Sequence, residues 1–287
     1  MTLVGRAVAS WDEFFFRPVH VRFVDGFRIG YAALLLVNCL GYLPFVEMWW
    51  GQGAVVPFEV ARGLGDPDTL TIFTWLPKDD LTLWIGFTLF VVQVGALLVG
   101  YKSRFQAVCV YVWLTSFQHR LYLINDGEDT VFRLFGFLLI FLPIGRSLSI
   151  DSWSRPGGLA PRVPAWALRL VQFQTALIVF CTGWEKLRGD FFGRFPVPMA
   201  LLDSMPFLQA MTWSTLAIEI ALPILVWFRP TRVPTLVVAI AFHLSIDYTM
   251  NVFLFQWVMI LGWLSFLATT DLRWMYAAGT GKETLGR

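Results

Sequence analysis

Residues 81–100 read LTLWIGFTLFVVQVGALLVG, a run of twenty positions without a charged side chain. An α-helix of this length covers about 30 Å, which is the thickness of the hydrocarbon core of a bilayer. The apolar residues follow one another without the polar alternation of a strand in a membrane barrel. The run therefore predicts a transmembrane helix.

Seven further apolar stretches give the whole chain the same character. Hydrophobic residues make up 57% of the 287 residues and charged residues only 15%, against about a quarter in globular proteins. The predicted fold is an all-α, polytopic transmembrane helical bundle of about eight spans. The predicted spans are 27–48, 81–100, 105–123, 131–145, 165–183, 208–228, 233–250 and 252–269. The third and fourth are the weakest, because polar residues interrupt one and Pro143 and Gly145 shorten the other.

Lys and Arg are divided unevenly between the segments that connect these spans. Basic residues favour the cytoplasmic side of a membrane, whereas acidic residues contribute little to the bias. If every span crosses, one side receives Arg6, Arg17, Arg22, Lys102, Arg104, Arg146, Arg155, Arg162, Arg229, Arg232, Arg273 and Lys282. The other side receives Arg62, Lys78, Lys186, Arg188 and Arg194. Both termini are therefore predicted to be cytoplasmic.

The segments outside the spans are short. Residues 1–26 carry Trp11 and Phe14–Phe16, which suit the headgroup zone, and Asp12 and Glu13 interrupt any core of a cleaved signal peptide. Residues 270–287 are predicted to be a cytoplasmic tail. No stretch outside the membrane exceeds roughly 30 residues, too few for an independent core. We therefore expect a single membrane domain over 1–287 without a soluble domain.

Composition also argues against two classes of function. A net charge of +2 with no basic run gives no indication of nucleic-acid binding. Cys39, Cys109 and Cys181 all lie inside predicted spans and lack the spacing of metal ligands, so no metal site is predicted.

One polar cluster flanks the hairpin between the third and fourth spans. Its members are Gln118, His119, Arg120, Asn125, Asp126, Glu128, Asp129 and Arg133. Acidic residues at a helix N-terminus favour the helix dipole, and Asp129 and Arg133 have the i, i+4 spacing of an ion pair. Capping with a local salt bridge is one interpretation. A binding site is the other, because so many ionisable groups at a membrane boundary are costly.

Lys186, with Glu185 beside it, ends the fifth span on the predicted outer side. A lysine at a boundary can extend its amine into water, which is the usual explanation. An amine held against apolar surroundings can instead serve as a general base near neutral pH. Both interpretations stay open.

Two further polar groups lie inside the last spans. His243, Asp247 and Asn251 are spaced four apart and share one face of a helix. His243 is either a buried imidazole bonded to a neighbouring helix or part of a proton relay or ligand site. Glu219, deep in the sixth span, needs a partner or a proton, and Arg133 and His243 are the candidate partners.

Three of these groups, the 120–130 hairpin, the Lys186 segment and the Asp247 end of the seventh span, are predicted to lie at the outer boundary. A pocket that opens outward follows as a hypothesis.

The run SFQHRLYLINDGEDTVFRLFGFLLIFLPIGRSLSIDSW, residues 116–153, resembles the signature hairpin of the horizontally transferred transmembrane (HTTM) domain. That pattern is approximately S-x-x-x-R-N-x-x-x-x-N-G-G-D, an apolar span, F-L-P-x-G and S-L-D. The matching positions are Arg120, Asn125, Gly127, Asp129, Pro143, Gly145, Ser149 and Asp151, whereas Leu121 and Glu128 depart from it. Similar stretches at 27–36, 172–195 and 242–260 extend the resemblance over nearly the whole chain.

The resemblance implies a function, because this domain is the membrane part of vitamin K-dependent γ-glutamyl carboxylase. That enzyme couples oxygenation of a reduced quinone to removal of a proton from a peptide glutamate. A reduced menaquinone or vitamin K-type quinol is therefore the implied cofactor, and a bacterial plasma membrane the implied location. Lys186 matches the second lysine of the family's A-G-x-K-K-L stretch, its base, and Glu185 replaces the first. Asp126 stands where the carboxylase has a histidine.

The expected catalytic residues are accordingly Lys186, His243 and Asp126. The expected substrate- or lipid-binding residues are Arg120, Asn125, Asp129, Glu185, Glu219 and Asp247. Two other functions stay open. The chain could be a non-redox maturation or accessory factor for a secreted peptide, with a separate extracytoplasmic subunit as partner. It could also be a lipid-binding or transport bundle in which Glu219, His243 and Asp247 line a pathway.

The predicted orientation can be tested by labelling single cysteines in a background without the three native ones. Gly53→Cys should react with an impermeant maleimide added to intact cells, because the 49–80 loop is predicted to lie outside. Gly281→Cys should react only after the cells are lysed. Labelling of Gly281→Cys in intact cells would contradict the orientation.

Overall fold

The computed structural model describes residues 3–64, 69–154, 162–187, 205–250, 252–267 and 271. Regular structure in these ranges is almost entirely helical. The helices are α1 (Leu3–Phe16), α2 (Val21–Tyr42), α3 (Val46–Trp50), α4 (Phe58–Leu64), α5 (Asp80–Val99), α6 (Ser103–Arg120), α7 (Gly127–Phe141), α8 (Ile150–Trp153), α9 (Trp166–Leu187), α10 (Met205–Leu225), α11 (Arg229–Met250) and α12 (Phe255–Leu264). Short 3-10 helices cover Leu43–Phe45, Ile72–Thr74 and Tyr122–Ile124.

Two short strands add a feature that the sequence did not predict. β1 (Pro18–His20) pairs antiparallel with β2 (Arg162–Pro164), with Val19 opposite Val163. The pairing joins the segment before α2 to the segment before α9.

In the described ranges, four helices are long and apolar enough to cross a membrane. They are the continuous stretch Val21–Trp50, α5, α9 and α11, and shorter apolar helices cover Gln209–Leu225 and Phe255–Leu264. The prediction of an all-α membrane bundle is confirmed at this level. The predicted third and fourth spans form α6 and α7, which have 18 and 15 residues and are not among these apolar helices. The 270–287 tail lies outside the described residues, apart from Asp271.

Contacts divide the chain into two compact units, and α9 and α12 contribute to both. Unit 1 comprises Met1–Arg169 and Val252–Leu261, and unit 2 comprises Leu170–Asn251 and Gly262–Arg287.

Unit 1 is built on a ring of four antiparallel helices. α2 packs against α5 and α7, α5 against α6, and α6 against α7. Local signals set their ends: Asp79 accepts the Thr82 N–H at 2.7 Å and caps α5, and this bond lowers the pKa of Asp79. Inside the ring the Tyr31 hydroxyl donates to the Phe132 carbonyl at 3.0 Å. A Cβ on Gly136 would lie 2.4 Å from that hydroxyl, so glycine permits the close approach of α2 and α7.

A buried acid and base on α2 hold one end of this ring. The Asp25 carboxylate accepts the backbone N–H groups of Gly145 at 2.7 Å and Ser147 at 2.7 Å. The Arg28 guanidinium donates to Asp25 and, at 2.5–2.7 Å, to the carbonyls of Leu97, Leu98 and Leu148. Both side chains are fully buried. They satisfy backbone groups freed at the end of α5 and after α7, which hydrocarbon could not do.

Asp151 completes this end by capping α6. Its carboxylate accepts the N–H groups of Lys102 and Ser103 and the Ser103 hydroxyl, each at 2.8 Å. The turns approach so closely that a Cβ on Gly145, whose φ is 75°, would lie 2.6 Å from Ser103 Oγ. We name the contacts of Asp25, Arg28 and Asp151 the polar clamp.

Unit 2 contains the larger part of α9, with α10, α11 and the end of α12. The Gln172 amide donates to the Ser265 carbonyl at 2.7 Å, and Arg232 pairs with Asp271 at 3.2 Å. A Cβ on Gly183 would lie 2.9 Å from the Cβ of Glu219, so α9 and α10 approach closely at that point.

The polar clamp predicts a large stability effect at Asp25. Asp25→Ala leaves the Arg28 charge buried without its carboxylate and strands the N–H groups of the 145–147 turn. We expect a loss of about 3–5 kcal/mol, the usual effect of breaking a buried ion pair. Unfolding of the purified protein in detergent measures the loss, with Asp12→Ala on exposed α1 as the control. Equal stability of the two variants would contradict this role.

Candidate functional site

The hairpin between α6 and α7 is organised by helix capping. Asp126 is the N-cap of α7, and its Oδ1 accepts the Glu128 N–H at 2.7 Å and the Asp129 N–H at 3.4 Å. Asp129 Oδ2 accepts the Asp126 N–H at 3.1 Å in return, which completes a capping box. The predicted capping is confirmed, and Asp126 positions the two carboxylates that follow it.

The predicted ion pair between Asp129 and Arg133 is wrong. The capping box turns Asp129 back towards the N-terminus of α7, where the Gln118 amide also donates to it at 3.2 Å. Arg133 instead lies 3.2 Å from His119 Nε2, and His119 Nδ1 lies 2.8 Å from the Leu70 carbonyl. A proton on Nδ1 therefore fits both contacts, with Nε2 accepting from Arg133.

Arg120 joins the hairpin to the preceding segment. Its guanidinium donates to the Trp50 carbonyl and lies over the rings of Phe58 and Phe73, 5.2 and 4.6 Å from their centroids. These contacts occupy the buried side chain, so they explain Arg120 without a ligand.

Glu128 makes contacts with other helices that the sequence did not predict. Its carboxylate accepts from the Asn38 amide at 3.0 Å and from the Leu254 N–H at 2.7 Å. Asn38 was missed as a partner, although a lone amide within an apolar span is itself a signal of an interhelical hydrogen bond. Glu128 thereby links α7 to α2 and to the segment before α12.

A cavity lies among the four helices of unit 1, at the end opposite the polar clamp. It encloses about 30 Å³, room for roughly one or two water molecules, and it is partly open to solvent. A ligand of the size of an aromatic ring would therefore need the lining side chains to move apart. Aromatic side chains line much of it: Tyr42, Trp50, Phe87, Phe90 and Phe117. Polar side chains also line it: Asn38, Gln118, Asn125 and Asp129.

One polar atom at this cavity is unsatisfied. Gln118 is 4% exposed, and its Nε2 donates to the Asp129 carbonyl at 2.9 Å. Its Oε1 accepts no hydrogen bond from the described residues. A buried acceptor without a donor costs about 1–3 kcal/mol. Asn125 donates to the Gln118 carbonyl at 2.9 Å and so supports the same wall.

Unit 2 holds a second constellation. Lys186 Nζ lies 2.6 Å from Glu219 Oε1, and the two side chains are only 15% and 5% exposed. The predicted partners of Glu219, Arg133 and His243, are therefore wrong. Gly183 brings α10 so close to α9 that Lys186, one turn further along α9, reaches the carboxylate first. Lys186 is directed towards this carboxylate rather than towards water.

His243 is buried on α11, and its Nε2 accepts the Trp263 indole N–H at 3.0 Å. This is the hydrogen bond to a neighbouring helix that one interpretation predicted. Glu185 is exposed and Asp247 is half-buried, and no hydrogen bond or ion pair between described residues joins either to another candidate. Asn251, Arg188 and Arg194 lie outside the described residues.

The candidate residues thus fall into two sets. Arg120, Asn125, Asp126 and Asp129 belong to unit 1, and Glu185, Lys186, Glu219, His243 and Asp247 belong to unit 2. Within unit 1 the structure brings Asn125 and Asp129 to one cavity, and within unit 2 it pairs Lys186 with Glu219.

Comparison with known protein families finds the HTTM domain over residues 16–271. These residues include the hairpin between α6 and α7, the polar clamp, the cavity of unit 1 and the pair of Lys186 and Glu219. No solved structure matches the chain.

The bond between Asn38 and Glu128 can be tested separately from any ligand. Asn38→Leu removes a donor and leaves a buried carboxylate oxygen unsatisfied, so we expect a loss of about 1–3 kcal/mol in the free energy of unfolding. Val37→Leu, next to it on the exposed side of α2, is the control and should change little. An unfolding midpoint of Asn38→Leu equal to that of the control would show that the bond contributes nothing.

Proposed function

The chain belongs to the HTTM domain family and is a membrane protein related to the membrane domain of vitamin K-dependent γ-glutamyl carboxylase, and from this premise we propose that it is a quinol-dependent membrane enzyme. The cavity of unit 1 is the proposed site of the quinol headgroup. The observation that carries the proposal is the buried Gln118 Oε1, an acceptor that lacks a donor in an aromatic cavity.

The side chains at the cavity offer the contacts that a reduced quinol makes, once they move apart to admit its ring. Such a headgroup is a flat aromatic ring with two hydroxyl donors, and it supplies reducing equivalents when bound. The rings of Phe87, Phe90 and Phe117 offer apolar surface and aromatic edges for a ring to pack against. Gln118 Oε1 would accept one hydroxyl proton in a hydrogen bond, and Asp129 offers carboxylate oxygens to the same cavity.

Residues outside the cavity have supporting roles in this proposal. Asp126, expected to be catalytic, acts through the capping box that holds Asp129 at the cavity. His243 accepts the Trp263 N–H at Nε2, so the proton of the neutral ring lies on Nδ1.

Lys186 is the proposed base, on the strength of its match to the family's lysine. Arginine, unlike lysine, keeps its proton at any accessible pH, so replacing Lys186 by arginine distinguishes a base from a fixed positive charge.

The proposed topology places the cavity on the outer face of a bacterial plasma membrane. Eight crossings, with both termini cytoplasmic, would be made by α2, α5, α6, α7, α9, α10, α11 and α12. The polar clamp is flanked by Arg22, Lys102, Arg104 and Arg146, and basic residues favour the cytoplasmic side. The cavity lies at the other end of the same four helices, which supports an outward position.

Quinol binding can be measured by titrating the purified protein in nanodiscs with a reduced, short-chain menaquinone analogue. Gln118→Leu should weaken binding about tenfold, because one hydrogen bond contributes roughly 1–1.5 kcal/mol. Gln106→Leu is the matched control. Gln106 is a second buried glutamine of α6 with an unsatisfied oxygen, at the opposite end of the helix, and its replacement should leave the affinity unchanged. Equal affinities of the wild type and Gln118→Leu would contradict the proposed site.

The role of Lys186 in turnover is tested by Lys186→Arg. Arginine keeps a cation opposite Glu219 but cannot give up its proton, so quinol consumption should be lost while quinol binding persists. Activity is compared at matched protein abundance in membranes, with Lys102→Arg as the control. Retained turnover in Lys186→Arg would remove Lys186 as the base.

A further inference from the structure

The pair formed by Lys186 and Glu219 has the geometry of a proton-exchange site. Nζ and Oε1 are 2.6 Å apart, a length typical of a strong charge-assisted hydrogen bond. Both side chains are largely withdrawn from water, with 15% and 5% exposure. A carboxylate so close to an ammonium stabilises its charge. The proton on Nζ therefore lies in a hydrogen bond to Glu219 and must be moved before Lys186 can act as a base.

The second oxygen of Glu219 leaves this carboxylate dependent on Lys186 for its hydrogen bonding. Glu219 Oε2 is buried and accepts no hydrogen bond from the described residues. A carboxylate is stabilised by the donors that surround it, and among the described residues Lys186 is the one donor to Glu219. Burial disfavours the charged state of both partners, which brings the neutral pair of amine and carboxylic acid closer in energy to the ion pair.

We propose that Glu219 is the positioning residue that controls whether Lys186 acts as a base, a role that rests on the proposed function of Lys186. The step is a single proton transfer along the existing hydrogen bond. The Nζ–H bond breaks and an Oε1–H bond forms, so ammonium and carboxylate become amine and carboxylic acid. The net charge of the pair stays zero, and the amine then has a lone pair that can accept a proton from a substrate.

The other acid beside Lys186 does not fit this role. Glu185 is adjacent in sequence, but its side chain is exposed at the end of α9. Water screens exposed charges, so its effect on the ammonium is small. The close approach of α9 and α10 at Gly183 instead places Glu219 of α10 beside Lys186.

The charge state of Lys186 can be read without any substrate. The purified full chain in detergent is treated briefly with acetic anhydride across a range of pH, and acetylation of each lysine is measured by mass spectrometry. Only the amine reacts. In Glu219→Gln the carboxylate is gone, so Lys186 should be acetylated about tenfold faster than in the wild type at pH 8. Exposed Lys102 should react equally in both proteins and reports on reagent and fold.

Two further variants separate charge control from a structural effect. Glu219→Asp keeps the carboxylate and should hold acetylation of Lys186 near the wild-type rate, whereas Glu185→Gln should change it less than about twofold because its charge is screened. The proposal is overturned if Glu219→Gln leaves the rate unchanged, if Glu219→Asp reacts as fast as Glu219→Gln, or if Glu185→Gln has the larger effect. Failure of quinol binding would leave these rates untouched, so it contradicts the proposed function alone.

Discussion

The contact between Asp25 and Arg28 is the constraint on which unit 1 depends. Inside a bilayer no water can satisfy a free carbonyl or N–H group, so each helix end that lies within the protein needs an internal partner. These two side chains, one turn apart on α2, provide partners for the end of α5 and for the turn after α7. Three helices are thereby held in register at one end. That register determines which residues of the same helices meet at the opposite end, where the cavity lies.

The family signature divides between these two ends. Its second part, with Gly145 and Asp151, lies at the polar clamp and has a structural role. The turn at Gly145 has no room for a Cβ, and the Asp151 carboxylate caps α6. Its first part, with Asn125 and Asp129, belongs to the cavity. The motif thus contains one half that holds the fold and another half that lines the proposed site. Arg120, which looks like a ligand-binding cation in sequence, is accounted for by the Trp50 carbonyl and two aromatic rings.

Composition and apolar run length are sufficient to predict helices and their approximate ends, because each run must satisfy its own backbone in lipid. They also identify α6 and α7 as the least apolar. Partners between helices are not predictable in the same way, since they depend on which faces meet. Glu219 was expected near Arg133 or His243 and contacts Lys186, because Gly183 sets the approach of α9 and α10. Asp129 was expected to pair along its own helix, but capping turned it away. Asn38 and the contacts of Asp25 and Arg28 were missed because a single sequence does not show which groups of other helices such polar side chains meet.

The central claim is that the cavity of unit 1 holds the headgroup of a quinol. Photocrosslinking with an azido-substituted reduced quinone, followed by mapping of the modified peptides, tests it most directly. The account predicts adducts in the segments that line the cavity, around Phe87, Phe90, Phe117 and Asn125, and their loss when unlabelled quinol is added in excess. Adducts confined to the helices of unit 2, or adducts that excess quinol does not displace, would contradict it.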